Sequence, residues 1–283
     1  MLQKLEKEIK EKVIEASRTL PPDVAAAIKA AYEREEKAEA RIVLKAILDN
    51  IDIAGKTGLP LCQDTGLFWT LISYAKDSPY PLSDLVDTTE RALSKAAEEG
   101  LFRKSIVSEP VFDRCNTGTN MPPVITIELI EGKVSTIDIL LKGFGSENCS
   151  AVRTLNPTAG KDGVVNAVVD MVREAGGKPC PPMFLGIGIG GSVDRAALLS
   201  KKALIAKVRH KDERYSDLEE EILERVNELS IGAGGLGGKA TALEVNILYT
   251  PTHIAGLPVA LSISCWADRK AHIAVGEELW KED

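Results

Sequence analysis

A chain of 283 residues with 44% hydrophobic content is long enough to bury a sizeable core. Its formal net charge of -7, without any basic stripe, lacks the electrostatic footprint of a nucleic-acid or membrane-surface binder and leaves small molecules and proteins as the expected partners. No apolar run approaches the roughly 18 residues that span a bilayer, and the amino end lacks the apolar centre of a signal peptide, so a cytoplasmic protein is expected.

Met1 to Arg18 sets Leu2, Leu5, Ile9 and Val13 at helical spacing between charges and predicts an amphipathic helix. Pro22-Asp23 opens a second helical region that runs to about Asn50, so residues 1–50 read as a helical layer. Leu67 to Tyr74 suits a short strand, and Ser83 to Glu99 returns to helical periodicity with Ser83 as its N-cap. Val124 to Leu129 and Val134 to Leu141, on either side of Glu131-Gly132-Lys133, read as an antiparallel hairpin. Ala159 to Ala175 predicts a helix closed by Gly176-Gly177, and Met183 to Gly190 a buried strand entering a glycine turn. Asp217 to Leu229 is a charged amphipathic helix, and Val245 to Tyr249 and Pro258 to Cys265 are two further strands. With no repeat or composition break, the expectation is a single α+β domain over residues 1–283. Its residues 51–283 would form a mixed part with a mainly antiparallel sheet under helices.

Five cysteines, scattered and without a CxxC pair, fit neither a secreted disulfide framework nor a zinc ribbon. Buried cysteine is commonly a small hydrophobe, and Cys115 and Cys149 are assigned to that role. Three others stand apart. Cys62 lies in Leu61-Cys62-Gln63-Asp64-Thr65-Gly66, a turn that supplies a thiol, an amide, a carboxylate and a hydroxyl in succession. Cys180 is held among Pro179, Pro181 and Pro182, a stiff path that a core strand does not need, and Cys265 ends a strand in Ser264-Cys265-Trp266-Ala267-Asp268-Arg269. The three are so far apart in sequence that only the tertiary fold could unite them. Spacing therefore does not choose a metal, and zinc stays open.

Two glycine motifs point to another class of function. Gly186-Ile187-Gly188-Ile189-Gly190-Gly191 satisfies GxGxxG between a strand and a helix, as a nucleotide-binding oxidoreductase would require, but no ribose-binding acid follows in a βαβ unit. Gly234-Gly235-Leu236-Gly237-Gly238-Lys239-Ala240 resembles a phosphate loop, yet Ala233 and Ala240 replace the glycine and the hydroxyl that such a loop needs.

Taken in order, the Cys62 turn, Asn116-Thr117-Gly118-Thr119-Asn120-Met121-Pro122, Lys142-Gly143-Phe144-Gly145-Ser146-Glu147-Asn148, Cys180-Pro181-Pro182 and the Cys265 motif resemble the iron–sulfur-dependent class I fumarases and the related L-tartrate dehydratases. The resemblance runs from about Leu20 to the end of the chain. It implies a 4Fe-4S cluster on Cys62, Cys180 and Cys265, with one iron open to the substrate as a Lewis acid. It also implies that Asp64 is the acid/base. Gln63, Thr65, Arg103, Gly145 and His253 would bind substrate, the histidine sometimes across a subunit boundary, and a guanidinium fork suits a carboxylate. Members of the resembled family also carry a second catalytic domain, on the same chain or on a separate subunit, and this chain is expected to rely on a separate subunit for it. The chain is therefore expected to be an α subunit, a homodimer within a hetero-oligomer completed by a β subunit, acting on a small dicarboxylate. The expected reaction is the tricarboxylic-acid-cycle interconversion of (S)-malate and fumarate, with L(+)-tartrate dehydration to oxaloacetate as the alternative. A zinc-stabilised assembly module is the reading from outside the enzyme class.

Overall fold

The computed structural model describes residues 2–208 and 213–276. The chain forms two units, one of Met1–Pro21, Ile51–Gly143 and Arg269–Asp283, the other of Pro22–Asn50 and Phe144–Asp268.

In the first unit the charged-apolar repeat at the amino end folds as α1 (Leu2–Arg18), with Met1 outside the described residues. The apolar run after the Cys62 turn becomes β1 (Leu67–Ala75), and α4 (Leu82–Glu99) follows it. The N-cap of α4 is Pro81, one residue before the helix, and Ser83 lies inside the first turn with its hydroxyl on Asp84. The expected cap is thus displaced by the proline, whose missing N–H costs nothing at a helix start. The sheet is completed by β2 (Val124–Ile130), β3 (Ser135–Lys142) and β8 (Lys270–Val275) in the order β2-β1-β3-β8.

The expected β2–β3 hairpin does not form. β1 lies between them, parallel to β2 and antiparallel to β3, with Leu71 opposite both Thr126 and Asp138. β1 is nearly continuously apolar and buried along its length, as a central strand must be, whereas β2 alternates exposed and half-buried side chains as an edge strand. The Gly132 turn still reverses the chain and accepts the N–H of Asp77, so it connects two strands that a third keeps apart. The core joins Leu5, Ile9 and Val13 of α1 and Leu85 and Leu93 of α4 to Phe68, Ile72, Ile137 and Ile273 of the sheet.

In the second unit the single helical region expected over 22–50 is two helices, α2 (Pro22–Arg34) and α3 (Ala38–Thr57), the last turns of α3 belonging to the first unit. The break has a cause: the Glu35 carboxylate accepts the main-chain N–H groups of Glu36 and Lys37, both at 3.0 Å, and so replaces the helical hydrogen bonds there. Next come α5 (Phe144–Glu147), β4 (Ala151–Leu155) and α6 (Gly160–Ala175), which Gly176 ends as expected. The remaining elements are β5 (Met183–Ile189), α7 (Val193–Ala203), α8 (Ser216–Glu228), β6 (Ala242–Tyr249) and β7 (Leu257–Ser264). The sheet order is β4-β7-β5-β6, with β5 and β6 parallel and the other pairs antiparallel.

Strand alternation explains β5. Leu185 and Ile187 face a core with Val168 and Val172 of α6, Ile222 and Val226 of α8, and Ile263 of β7. Gly186 and Gly188 face α7, and a Cβ on them would lie 2.2 Å from the Ser200 carbonyl oxygen and 2.0 Å from that of Ala196. Two mixed sheets packed with helices make the α+β architecture expected from the sequence. Among the described residues no helix is long and apolar enough to cross a membrane.

Candidate active site

The Cys62 turn begins where Gly58, at φ +72°, ends α3 and accommodates a left-handed stop that a side chain would strain. The N–H of Leu61 then donates to the Ser17 carbonyl at 2.8 Å, and the Leu61 side chain is buried. This anchors the turn to the end of α1 and leaves Cys62 half-buried, Gln63 exposed and Asp64 half-buried.

Asp64 is fixed from three sides within the first unit. Its Oδ1 accepts the Gly66 N–H at 3.1 Å, closing an Asx turn. Its main-chain carbonyl accepts Nη2 of Arg269 at 2.8 Å. A Cβ on Gly143 would lie 3.3 Å from Asp64 Oδ2, so the lack of a side chain there admits the carboxylate. Gly66 serves the same turn: at φ +90° it passes β3 so closely that a Cβ would stand 2.6 Å from the Leu141 carbonyl carbon.

Thr65 is 1% exposed and its Oγ1 accepts the Arg103 main-chain N–H at 2.9 Å. On the other side of the same residue, Asn120 Nδ2 donates to the Arg103 carbonyl at 2.6 Å and Asn120 Oδ1 accepts the Ser105 N–H at 2.5 Å. The exposed Arg103 side chain thus projects from a backbone clamped by two buried polar groups. Sequence reasoning assigns no role to Asn120. Its place in the Asn116–Pro122 motif is the one signal in the sequence; the φ of +60°, which asparagine tolerates, comes from the structure.

In the second unit, β5 and β7 are antiparallel with Phe184 opposite Ser264. That register brings the residues before β5 and those after β7 to the same end of the sheet. There the Trp266 N–H reaches the Cys180 carbonyl at 3.4 Å, and the Gly234 N–H donates to the Pro181 carbonyl at 2.8 Å. Cys180 itself is exposed at φ +57°, a left-handed conformation costing a non-glycine residue roughly 1–2 kcal/mol. Strain of this kind at a cysteine points to presentation of the sulfur. Gly145 lies beside this end, where a Cβ would be 3.7 Å from the Lys178 carbonyl oxygen.

His253 is elsewhere. It sits on the exposed loop before β7, where its Nδ1 accepts the Ala255 N–H at 3.1 Å. Cys265 follows the other end of this eight-residue strand, roughly 25 Å away along extended chain. The two remaining cysteines divide. Cys149 packs against the core and its thiol donates to the Gly145 carbonyl at 3.4 Å, as a small hydrophobe with a weak donor. Cys115 is exposed, which corrects its assignment as a buried hydrophobe: it lies in an irregular segment whose Val107 and Asn116 form an isolated β-bridge.

Both glycine motifs have structural explanations. The Gly186–Gly191 segment provides close packing of β5 on α7, and at Gly190 (φ +91°) a Cβ would stand 2.1 Å from the Thr250 carbonyl oxygen. The Gly234–Ala240 loop already encloses an anion, the carboxylate of Glu35, which is 3% exposed and accepts the Lys239 N–H at 2.8 Å. Burial raises the pKa of Glu35, but the N–H groups of Lys37, Lys239, Glu36 and Ala240 outweigh it and hold the carboxyl below the ordinary glutamate value. A depressed folded-state pKa contributes stability that is present above the unfolded-state value and lost as pH falls through the folded-state one. Glu35→Gln is therefore expected to lower unfolding stability at pH 7 by about 1–3 kcal/mol. The gap to wild type should narrow in denaturant melts below about pH 4, and a gap constant from pH 7 to pH 3 would refute this account.

All five cysteines are thiols rather than disulfides. Among the described residues no three His, Cys, Asp or Glu side chains already stand as a metal-holding group. The donor chemistry of Cys62, Cys180 and Cys265, each soft and each on a turn at the end of an element, nevertheless suits an iron–sulfur group and not a hard-cation site.

Comparison with known proteins is decisive at the level of family. The family model described as fumarate hydratase (fumerase) matches residues 6–274. The chain belongs to the fumarate hydratase family. A relative from Methanocaldococcus jannaschii, provisionally named L(+)-tartrate dehydratase subunit alpha, is 42% identical over 264 residues, covering 91% of this chain and 92% of that one. The L(+)-tartrate dehydratase subunit alpha of Escherichia coli strain K12 is 30% identical over 273 residues, 94% of this chain and 89% of its own. The protein with that name from Shigella sonnei matches to the same extent. Within this fumarate hydratase family the chain is an enzyme of the hydro-lyase class.

Proposed function

We propose that the chain is the α subunit of an L(+)-tartrate dehydratase, which removes water from the 2,3-dihydroxy diacid to give the enol of oxaloacetate and then oxaloacetate. The observation that carries this reading is that relatives at 42% and 30% identity, matched over nearly their whole length, bear that name. It shifts the substrate from the (S)-malate expected from motifs alone. A second reading, (S)-malate to fumarate, is favoured by the description of the family model.

In this reading Cys62, Cys180 and Cys265 hold a 4Fe-4S cluster, which when bound supplies a Lewis acid for the hydroxyl that leaves. The Asp64 carboxylate handles the proton beside it, in a geometry set by Gly66, Gly143 and Arg269. Arg103 receives a substrate carboxylate on a backbone held by Thr65 and Asn120. Gln63, exposed on the same turn, and Gly145, beside the Cys180 turn, complete the contacts from this chain. His253, a strand-length from Cys265, acts on the site of a second copy, and a separate β subunit completes the active site.

The test is anaerobic assay of the α chain with its β partner on L(+)-tartrate and (S)-malate. The two differ by one hydroxyl, and a site that hydrogen-bonds it rejects the analogue by up to about 10⁴–10⁵. A kcat/KM at least about tenfold higher for tartrate supports the proposal; a preference for malate replaces it with the second reading, and turnover of neither refutes both.

A further inference from the structure

Arg269 has a setting that the fold does not explain. It precedes β8 and is 2% exposed, and its carbonyl accepts the Leu141 N–H at 3.0 Å. Nη2 donates to the carbonyls of Asp64 and Leu141, at 2.8 and 3.2 Å. Nε and Nη1 are buried and have no hydrogen-bond partner among the described residues.

A guanidinium does not shed its charge when buried, and its N–H groups are strong donors, so two unsatisfied ones cost free energy that a purely structural role does not return. If Arg269 served only to tie Asp64 to β3, a neutral donor would do so without a buried charge. Buried polar groups in native proteins are nearly always satisfied, and exceptions mark ions or ligands that complete them. The neighbourhood fits such a role. A Cβ on Gly143 would lie 3.3 Å from Asp64 Oδ2 and 3.8 Å from Arg269 Nη2, so the acid/base candidate and the guanidinium both come up against the same glycine, inside one unit of the fold.

We propose that Arg269 is a buried anion-binding residue of this site: Nη2 fixes the Asp64 main chain, while Nε and Nη1 are held for an anionic acceptor that arrives when the site is loaded. The acceptor is the thiolate–sulfide surface of the cluster or a carboxylate oxygen of the dicarboxylate. This rests on the reading of the Cys62–Asp64 turn as the reaction centre.

The experiment uses the full chain with its β partner and the variants Arg269→Gln and Arg269→Lys. Three quantities are read: melting of the cluster-free protein, the rate of iron loss to a chelator without substrate, and the affinity of the loaded protein for L(+)-tartrate and (S)-malate by thermal shift. Removal of the guanidinium is expected to speed iron loss or weaken dicarboxylate binding by about 10–100-fold, with a smaller effect on the cluster-free melt. Faster iron loss identifies the cluster as acceptor; weaker dicarboxylate binding with iron retention intact identifies the substrate. Lysine, lacking the fork, is expected to restore only part of either, and it supplies the comparison if the glutamine variant does not fold. Variants that melt lower when cluster-free but match wild type within twofold in both loaded-state measurements would show a structural tie only and overturn the proposal. A wild type that binds no iron would refute the cluster reading separately, leaving the dicarboxylate measurement to decide the role of Arg269.

Discussion

Asp64→Asn is expected to lower kcat by about 10²–10⁴-fold, the usual contribution of a positioned general acid or base. The substitution is nearly isosteric, and an amide oxygen at the Oδ1 position still accepts the Gly66 N–H. The tie from Arg269 runs to the main-chain carbonyl and does not depend on the side chain at all. The turn should therefore keep its shape, and the melting temperature and iron content should stay at wild-type values. Loss of kcat with unchanged KM and intact iron isolates proton transfer from binding. A kcat within tenfold of wild type would remove Asp64 from the acid/base role.

The second large effect is on metal content. Anaerobically purified protein is expected to hold about four iron and four acid-labile sulfide per chain. Cys62→Ser, Cys180→Ser and Cys265→Ser should each lose most of both, together with activity. Cys115→Ser should behave as wild type, since its thiol is exposed on an irregular segment. Cys149→Ser should keep its iron and lose only a little stability, because its thiol sits against the core and donates to a carbonyl that a hydroxyl would serve equally well. Zinc in the parent protein, or iron loss spread over all five variants, would refute the ligand assignment.

The helices were legible from the sequence because their apolar spacing is local information: α1, α4, α6 and α8 fall within a residue or two of where periodicity predicts them. Strand partners were not. The Gly132 turn between β2 and β3 is a sound hairpin signal, but it carries nothing about β1, which arrives from far along the chain and separates them. The break at Glu35 was hidden for a related reason, as half of the hydrogen bonds that hold its carboxylate come from the glycine loop near Lys239.

The site divides in the same way. The Cys62 turn announces itself through its residue types, and the strain at Cys180 is foreshadowed by its prolines. The approach of the Cys180 turn to that of Cys265 is set by the register of β5 and β7, which no spacing in the sequence encodes. Arg269 was in view as the last residue of a motif, but its burial and its bond to Asp64 are products of the tertiary fold.

That bond has a consequence for the order of assembly. Asp64 and Arg269 are 205 positions apart, so during synthesis the turn that carries Cys62 waits, without its clamp, until Arg269 has emerged. Contacts of such long sequence separation form late, after local helices and after the loop-closure entropy has been met. The turn is therefore shaped late in folding, and the thiol of Cys62 has a finished setting only once β8 has docked beside β3.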